Sequence, residues 1–421
     1  MKNILMNQKA LRLKSVVESG KNIIRKYLNC RTISNIRNMS QHMYNKIIVA
    51  SDSFKGSLSS LGVAEAASKA IHEIEPHCEV VKVDVADGGE GTMDALRRTL
   101  GGEKVFIEVS DPLGRPIQAS YVILEDGVTA VLEMAVASGL PLLALAERNP
   151  LNTSTFGTGQ IIADALSRGC RKFLVGIGGS ATNDAGMGML QALGVRFYDA
   201  AGAELQGRGE SLEKAANIDM SGLCDGLKDA EFIVACDVEA PLYGPTGAAY
   251  VFAPQKGADP AMVERRDNGL KHFSEVAFNS LGAADDYAKS PGAGAAGGLG
   301  FGFIAFLNAR LERGIEMVLD AIGFDQLIEG ASLVITGEGR VDTQTLTGKT
   351  PYGVLKRAMK QGIPVVAIGG SVTLDQQAAL EAGFAGVYAV TPAGMPLETA
   401  MQPSVASENI YNTVRNILSH E

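Results

Sequence analysis

Tryptophan is absent from the 421 residues and aromatic side chains make up only 6%, so no aromatic sandwich for a purine base stands out. Histidine is nearly as scarce. His42, His72, His77, His272 and His420 are peripheral or fall in helical segments, which argues against a histidine-based nucleophile triad. The five cysteines, Cys30, Cys78, Cys170, Cys224 and Cys236, are scattered, with no CxxC pair and no metal-ligand spacing. Such a set reads as reduced thiols in a cytoplasmic protein. Long hydrophobic runs are missing too. The charge-free stretch Ser290–Ala309 carries six glycines, and the run Val128–Ala146 is interrupted by Glu133 and Pro141. No membrane span is expected, and the start of the chain has no apolar segment followed by a small-residue cleavage site. Basic charge is lacking over most of the chain. The formal net charge is −9, and residues 1–43 hold nine Lys/Arg against Glu18 alone, so the remainder is strongly acidic. An acidic body has no basic footprint with which to neutralise phosphates, and no nucleic-acid partner is expected.

Residues 1–43 are basic, rich in Asn and Ser and almost free of acids. Three readings stand for them: an over-extended start, with Met43 just before the first strand as the initiator; a disordered basic arm; or a mitochondrial-type presequence. From residue 46 onward the pattern alternates strand and helix. Apolar runs at 46–51, 79–85, 171–177, 231–237, 331–338, 362–370 and 385–392 read as strands. Helical spacing marks 59–74, 91–100, 183–194, 347–361 and 373–382, with Ser57 or Ser59 available to cap the first helix. Continuous apolar strands separated by helices mean a parallel sheet covered on both faces. The length favours two domains. The Ala/Gly/Ser-rich segment 277–300 and a second crossing near 86–110 divide the chain into 44–90 plus 290–421 as one discontinuous α/β domain and 91–289 as another.

Glycine is plentiful, at 49 residues, and much of it sits in short loops, where a missing Cβ lets backbone approach a ligand. The loops at the strand ends share a composition. The sequence Asp52-Ser53-Phe54-Lys55-Gly56-Ser57 succeeds the first strand, and Ala86-Asp87-Gly88-Gly89-Glu90-Gly91-Thr92 the second. Gly178-Gly179-Ser180-Ala181-Thr182-Asn183-Asp184 succeeds 171–177, and Thr336-Gly337-Glu338-Gly339-Arg340-Val341-Asp342 succeeds 331–335. Taken singly, each is an ordinary turn. Together they place glycine, hydroxyl and carboxylate at one edge of a sheet, where doubly wound proteins bind ligands. Glycine N–H groups and helix N-termini suit phosphate oxygens. Carboxylates suit Mg²⁺, and a lysine beside a proton-accepting carboxylate suits phosphoryl transfer. Standard nucleotide motifs fail. Gly348-Lys349-Thr350 resembles the end of a P-loop, but Thr343 occupies the position of its first glycine. Gly292-Ala-Gly294-Ala-Ala-Gly297 matches GxGxxG but succeeds no strand, which disfavours a dehydrogenase.

At these residues the chain resembles the bacterial glycerate kinase family of the first type, over residues 46–418. The matching motifs are DSFKGSLSS (52–60), ADGGEGT (86–92), FGTGQ (156–160), GGSATNDAGMG (178–188), PQKGA (254–258), GAAGGLG (294–300), TGEGRVDTQTLTGK (336–349) and AIGG (367–370). Ala185 stands where the family commonly has a second glycine, and the basic extension 1–43 is foreign to it. The resemblance implies two α/β domains, one with a Rossmann- or flavodoxin-like parallel sheet and one distinct, with the active site in the cleft between them. It implies transfer of the ATP γ-phosphate to D-glycerate with Mg²⁺, giving 2-phospho-D-glycerate rather than 3-phospho-D-glycerate, in organic acid catabolism. A homodimer is the assembly left open. On this basis Asp184 is expected as general base or metal ligand, with Lys55 neutralising the transferred phosphate. Asp52, Ser53, Asp87, Gly88, Gly89, Ser180 and Thr182 are expected at the substrate. Gly178, Gly179, Gly297, Gly298, Gly337, Glu338 and Lys349 are expected at the nucleotide, and Glu338 and Asp342 are the alternative metal ligands. The competing readings are a kinase of another small hydroxy acid and a non-catalytic metabolite-binding protein on the same scaffold.

Overall fold

The computed structural model describes residues 44–282 and 287–419. The basic segment 1–43, with its three readings, lies outside the described residues, as do His42 and His420. Strand β1 (Lys46–Ser51) is buried along nearly its whole length, as its unbroken apolar run requires of a central parallel strand. Its side chains alternate between two cores. Ile47 and Val49 pack with Val63, Ala67 and Ile71 of the helix Ser60–Ile74 and with Ile410 and Val414 of the helix Pro403–Ser419. Ile48 and Ala50 face Val354 and Leu355 of the helix Thr350–Lys360 and Val318 of the helix Gly314–Ala321. Each fully buried Val, Leu or Ile among them contributes roughly 1.5–3 kcal/mol. Of the two candidate caps for the first helix, Ser59 takes the role, accepting from Gly62 N at 3.1 Å.

β1 pairs in parallel with β2 (Glu79–Lys82) on one side and with β11 (Leu333–Val341) on the other. β11 continues to β12 (Val365–Val372) and β13 (Gly386–Ala389). The order β2-β1-β11-β12-β13 is the flavodoxin-like arrangement, in which the winding direction reverses between the first and third strands of the sheet. Between β2 and β11 the chain builds a second, six-stranded sheet. A meander of β3 (Glu103–Ser110), β4 (Pro116–Ile123) and β5 (Thr129–Glu133) leads into parallel β6 (Lys172–Gly176), β9 (Glu231–Ala235) and β10 (Arg310–Glu312). A short ribbon of β7 (Arg196–Tyr198) and β8 (Asn217–Asp219) stands apart. The α/β architecture agrees with expectation. The antiparallel meander is additional to the strand–helix alternation legible in the sequence.

Two local readings change. Thr336–Val341 belongs to a strand and not to a loop, because β11 stays paired with β12 as far as Val341↔Val372. The helix expected over 183–194 begins only at Met187. Before it, Ala185 has φ 53 and Gly186 φ 76, a left-handed turn that a helix cannot absorb. Ala185 is also where the family commonly has glycine, the residue that adopts this conformation without strain.

Candidate active site

At the carboxyl ends of β1, β11, β12 and β13 lies a cavity of about 800 Å³, lined by Asp52, Ser53, Lys55, Asp87, Glu338 and Arg340 among others. This is the switch point of the first sheet, where open α/β sheets bind ligands. The β1 loop and β11 are tied together directly, because Asp52 N donates to the Gly337 carbonyl at 2.9 Å. Gly337 has no room for a Cβ, which would meet the Ile368 carbonyl oxygen at 2.4 Å. Its role is therefore close strand packing. The loop after β2 reaches toward the second sheet, with a Cβ on Gly88 meeting Gly314 Cα at 2.5 Å and Ala235 Cβ at 2.7 Å. This contact holds Asp87 between Asp52 on one side and Asp237, beyond β9, on the other.

The charges of the cavity are coupled. Burial, and then the neighbouring Asp87 charge, push the Asp52 carboxyl up to about 6, against the opposing pull of Ser53 N–H and Lys55. Asp52 Oδ1 accepts from Ser53 N at 2.6 Å, and Oδ2 lies 3.4 Å from Thr350 Oγ1, at the N-terminus of the helix Thr350–Lys360. Burial raises Glu338 as well, opposed by Thr345 Oγ1 donating at 2.6 Å and by Lys349 Nζ at 3.4 Å. Asp237 is raised by burial and then by Asp87, and is opposed by its hydrogen bond from Gly314 N at 3.1 Å. Asp87 Oδ1 accepts from Gly89 N at 3.1 Å, so Gly89 shapes the Asp87 loop. Asp342 accepts from Gln344 N at 2.8 Å and pairs with Arg340 at 3.3 Å, which occupies both of its oxygens at the rim. Of the expected residues, the cavity thus brings together Asp52, Ser53, Lys55, Asp87, Glu338, Asp342 and Lys349.

It does not bring in Asp184. That residue is wholly buried, and its carboxylate accepts from Thr155 N and Thr155 Oγ1 at 2.8 Å each, from Gly188 N at 3.2 Å and from Gly186 N at 3.3 Å. Four donors saturate it, and the fold leaves it no face toward a substrate. Gly297 and Gly298 are also interior. A Cβ on Gly297 would lie 2.0 Å from the Thr182 carbonyl, and one on Gly298 2.8 Å from Ala185 Cα. Backbone packing against the 182–185 turn, not a phosphate, accounts for these glycines. Thr182 is fully buried as well. Gly178 and Gly179 are exposed and Ser180 is nearly buried, in a turn outside the cavity lining. Arg310 is in β10 and pairs with Glu231 at 2.8 Å.

Several lining residues carry little sequence signal. Arg340 lies inside the TGEGR motif but looks like a surface residue. Gly370, Ser371 and Thr391 come at the ends of β12 and β13 as the other loops do at theirs, and that position is the available clue. Asp237, which neighbours Asp87 but does not line the cavity, ends an apolar strand in the same way. The apolar wall of Val372, Val390, Met395, Leu397 and Met401 comes from three separate stretches and has no local signature. It is an aliphatic and thioether surface of a kind that can cover a base without aromatic stacking. Among the described residues, no group of three or more His, Cys, Asp or Glu side chains is arranged to hold a metal ion unaided. Mg²⁺ needs only one or two carboxylates when phosphates and waters complete its shell. Asp87 and Glu338 fit that requirement. No helix among the described residues is long and apolar enough to cross a membrane.

The family model described as the glycerate kinase family matches residues 47–420. The chain is 46% identical over 372 residues to a glycerate kinase of Bacillus subtilis (strain 168), covering 88% of this chain and 96% of that protein. It is also 46% identical over 372 residues to glycerate 2-kinase of Escherichia coli (strain K12), covering 88% and 97%. A crystal structure from Salmonella typhimurium LT2, of a protein assigned as glycerate kinase 2, superposes with a TM-score of 0.80 at 44% identity, covering 89% of this chain and 97% of that one.

Proposed function

The chain belongs to the glycerate kinase family, and from that premise we propose that it transfers the terminal phosphoryl group of ATP to D-glycerate, giving 2-phospho-D-glycerate. The observation that carries this reading is the convergence of Asp52, Asp87 and Glu338 with Lys55 in one cavity at the switch point. The nucleotide sits against the wall of Val372, Val390 and Met401. Lys55, Arg340 and Lys349 supply positive charge to its phosphates. Asp87 and Glu338 would hold Mg²⁺, which would offset the negative charge that develops in transfer. Asp52 accepts the proton of the attacking hydroxyl. Its burial beside Asp87 brings it to about 6, close to working pH and therefore basic enough for the task. The relative named glycerate 2-kinase supports the 2-phosphate product. We also propose that the two sheets mark two domains, the second inserted into the first. The four described cysteines are free thiols, which supports a reducing, cytoplasmic setting.

The test is ATP- and Mg²⁺-dependent turnover of D-glycerate followed by phosphorus NMR. A 2-phosphate resonance is expected. A 3-phosphate resonance would keep the transfer and change the hydroxyl, whereas no turnover in a folded sample would remove the reading.

A further inference from the structure

Lys256 is fully buried, and its ammonium has no carboxylate within ion-pairing distance among the described residues. It donates instead to Ser180 Oγ at 2.7 Å and to the Thr182 carbonyl at 2.6 Å. A buried ammonium that only the more distant Asp184 carboxylate offsets is costly, and the polar groups around it are also incomplete. Thr182 Oγ1 and both side-chain polar atoms of Asn183 are buried without a partner. An ammonium can only donate, so Ser180 Oγ must accept from it. The Ser180 hydroxyl hydrogen is then free to donate outward. Next to it, neither Gly178 nor Gly179 gives its N–H to a main-chain acceptor among the described residues, while the Gly179 carbonyl is taken by Leu140 N at 2.8 Å. A Cβ built on Gly178 would meet nothing within 4 Å, so there is room over the turn. This turn continues β6, whose Gly176 lies against the Gly88 carbonyl, on the Asp87 side of the cavity.

We infer that the Gly178–Gly179–Ser180 turn, backed by the Lys256 ammonium, is the subsite for the carboxylate of the acceptor, with Ser180 as the contact and Lys256 as the positioning residue. The large cavity with its apolar wall takes the nucleotide, which leaves the second sheet's edge for a small anion. One positive charge behind a hydroxyl and free N–H groups matches one carboxylate. This inference rests on the glycerate kinase reading for the identity of the acid. Its chemistry requires only a small carboxylate substrate.

Lys256→Met keeps the volume and removes the charge, and Ser180→Ala removes the contact together with one of the two acceptors of the Lys256 ammonium. For both variants the expected result is a KM for D-glycerate raised at least 30-fold, with the KM for ATP within threefold of wild type. The preference for D-glycerate over uncharged glycerol should fall by a similar factor. A rise confined to the ATP KM would overturn the assignment in favour of a phosphate site, and unchanged constants in the soundly folded Ser180→Ala variant would overturn it outright. Calorimetric titration of D-glycerate into wild type and into the variants reads binding without turnover. Binding lost with Ser180→Ala supports the subsite even if wild type fails to transfer phosphate, so failure of the activity reading is seen separately. Equal binding by wild type and both variants removes the subsite.

Discussion

Asp52 and Asp184 each come after a parallel strand in a loop of glycines and hydroxyls, yet they do opposite work. Asp52 faces a cavity with Lys55 and Asp87 beside it. Asp184 lies under the second sheet with every lone pair claimed by Thr155, Gly186 and Gly188. The difference teaches that local composition marks loops able to bind charge, and that tertiary cover decides whether the charge meets a ligand or the protein's own N–H groups. Lys55 and Lys256 repeat the contrast. Lys55 is exposed in the cavity, whereas Lys256 is sealed behind Ser180, where burial draws it down to about 7.

The sharpest way to break the comparison is to neutralise both aspartates. Asp52→Asn is expected to lower kcat about 10³-fold, measured by coupled ADP release. Its effect on stability has the opposite sign. The folded carboxyl titrates near 6, above its ordinary 3.8, so folding favours the protonated form. Stability conferred by that preference is complete below about pH 4 and is lost as pH rises through about 6. Asp52→Asn should therefore melt at or above wild type at pH 8, by ~1–3 kcal/mol, and lose that advantage near pH 4. Wild-type kcat/KM should rise with pH through about 6. A flat profile there would take the proton-accepting role away from Asp52.

Asp184→Asn is expected to cost ~2–4 kcal/mol in denaturant unfolding, because an amide NH₂ replaces an acceptor facing buried N–H donors. Turnover per folded molecule should stay within about threefold. Large loss of turnover at full stability would restore Asp184 to the chemistry. Two glycines extend the contrast to stability alone. Gly297→Ala should destabilise by ~3 kcal/mol, with its φ of +72 and a Cβ 2.0 Å from a carbonyl oxygen. Gly178→Ala, in open space, should shift stability by less than about 0.5 kcal/mol, the smallest effect of the set. Equal costs at the two positions would erase the distinction drawn between packed and open loops.

Much of this was legible in the residues themselves. The run KIIVAS could only be a buried strand, since every position but its first is apolar or small and neither face offers water a polar stripe. Ser59 announced the start of its helix, and the recurrence of acid, glycine and hydroxyl after β1, β2 and β11 marked the binding edge of the first sheet, whereas the fourth such loop, 178–184, follows β6 of the second sheet. Membership of the glycerate kinase family was also carried by those motifs. Pairing over distance was not legible. Thr336–Val341 reads as a glycine loop until β12 lies alongside and satisfies its backbone, and that pairing turns Glu338 into a strand residue aimed at the cavity edge. The β3–β5 meander, the apolar wall gathered from three stretches, and the burial of Asp184, Gly297 and Lys256 likewise depend on neighbours far away along the chain. Short-range pattern determines which segments form strands and helices, because propensity and periodicity are local. Tertiary packing alone decides which of several similar loops is left open to solvent, because burial is a property of what covers a residue.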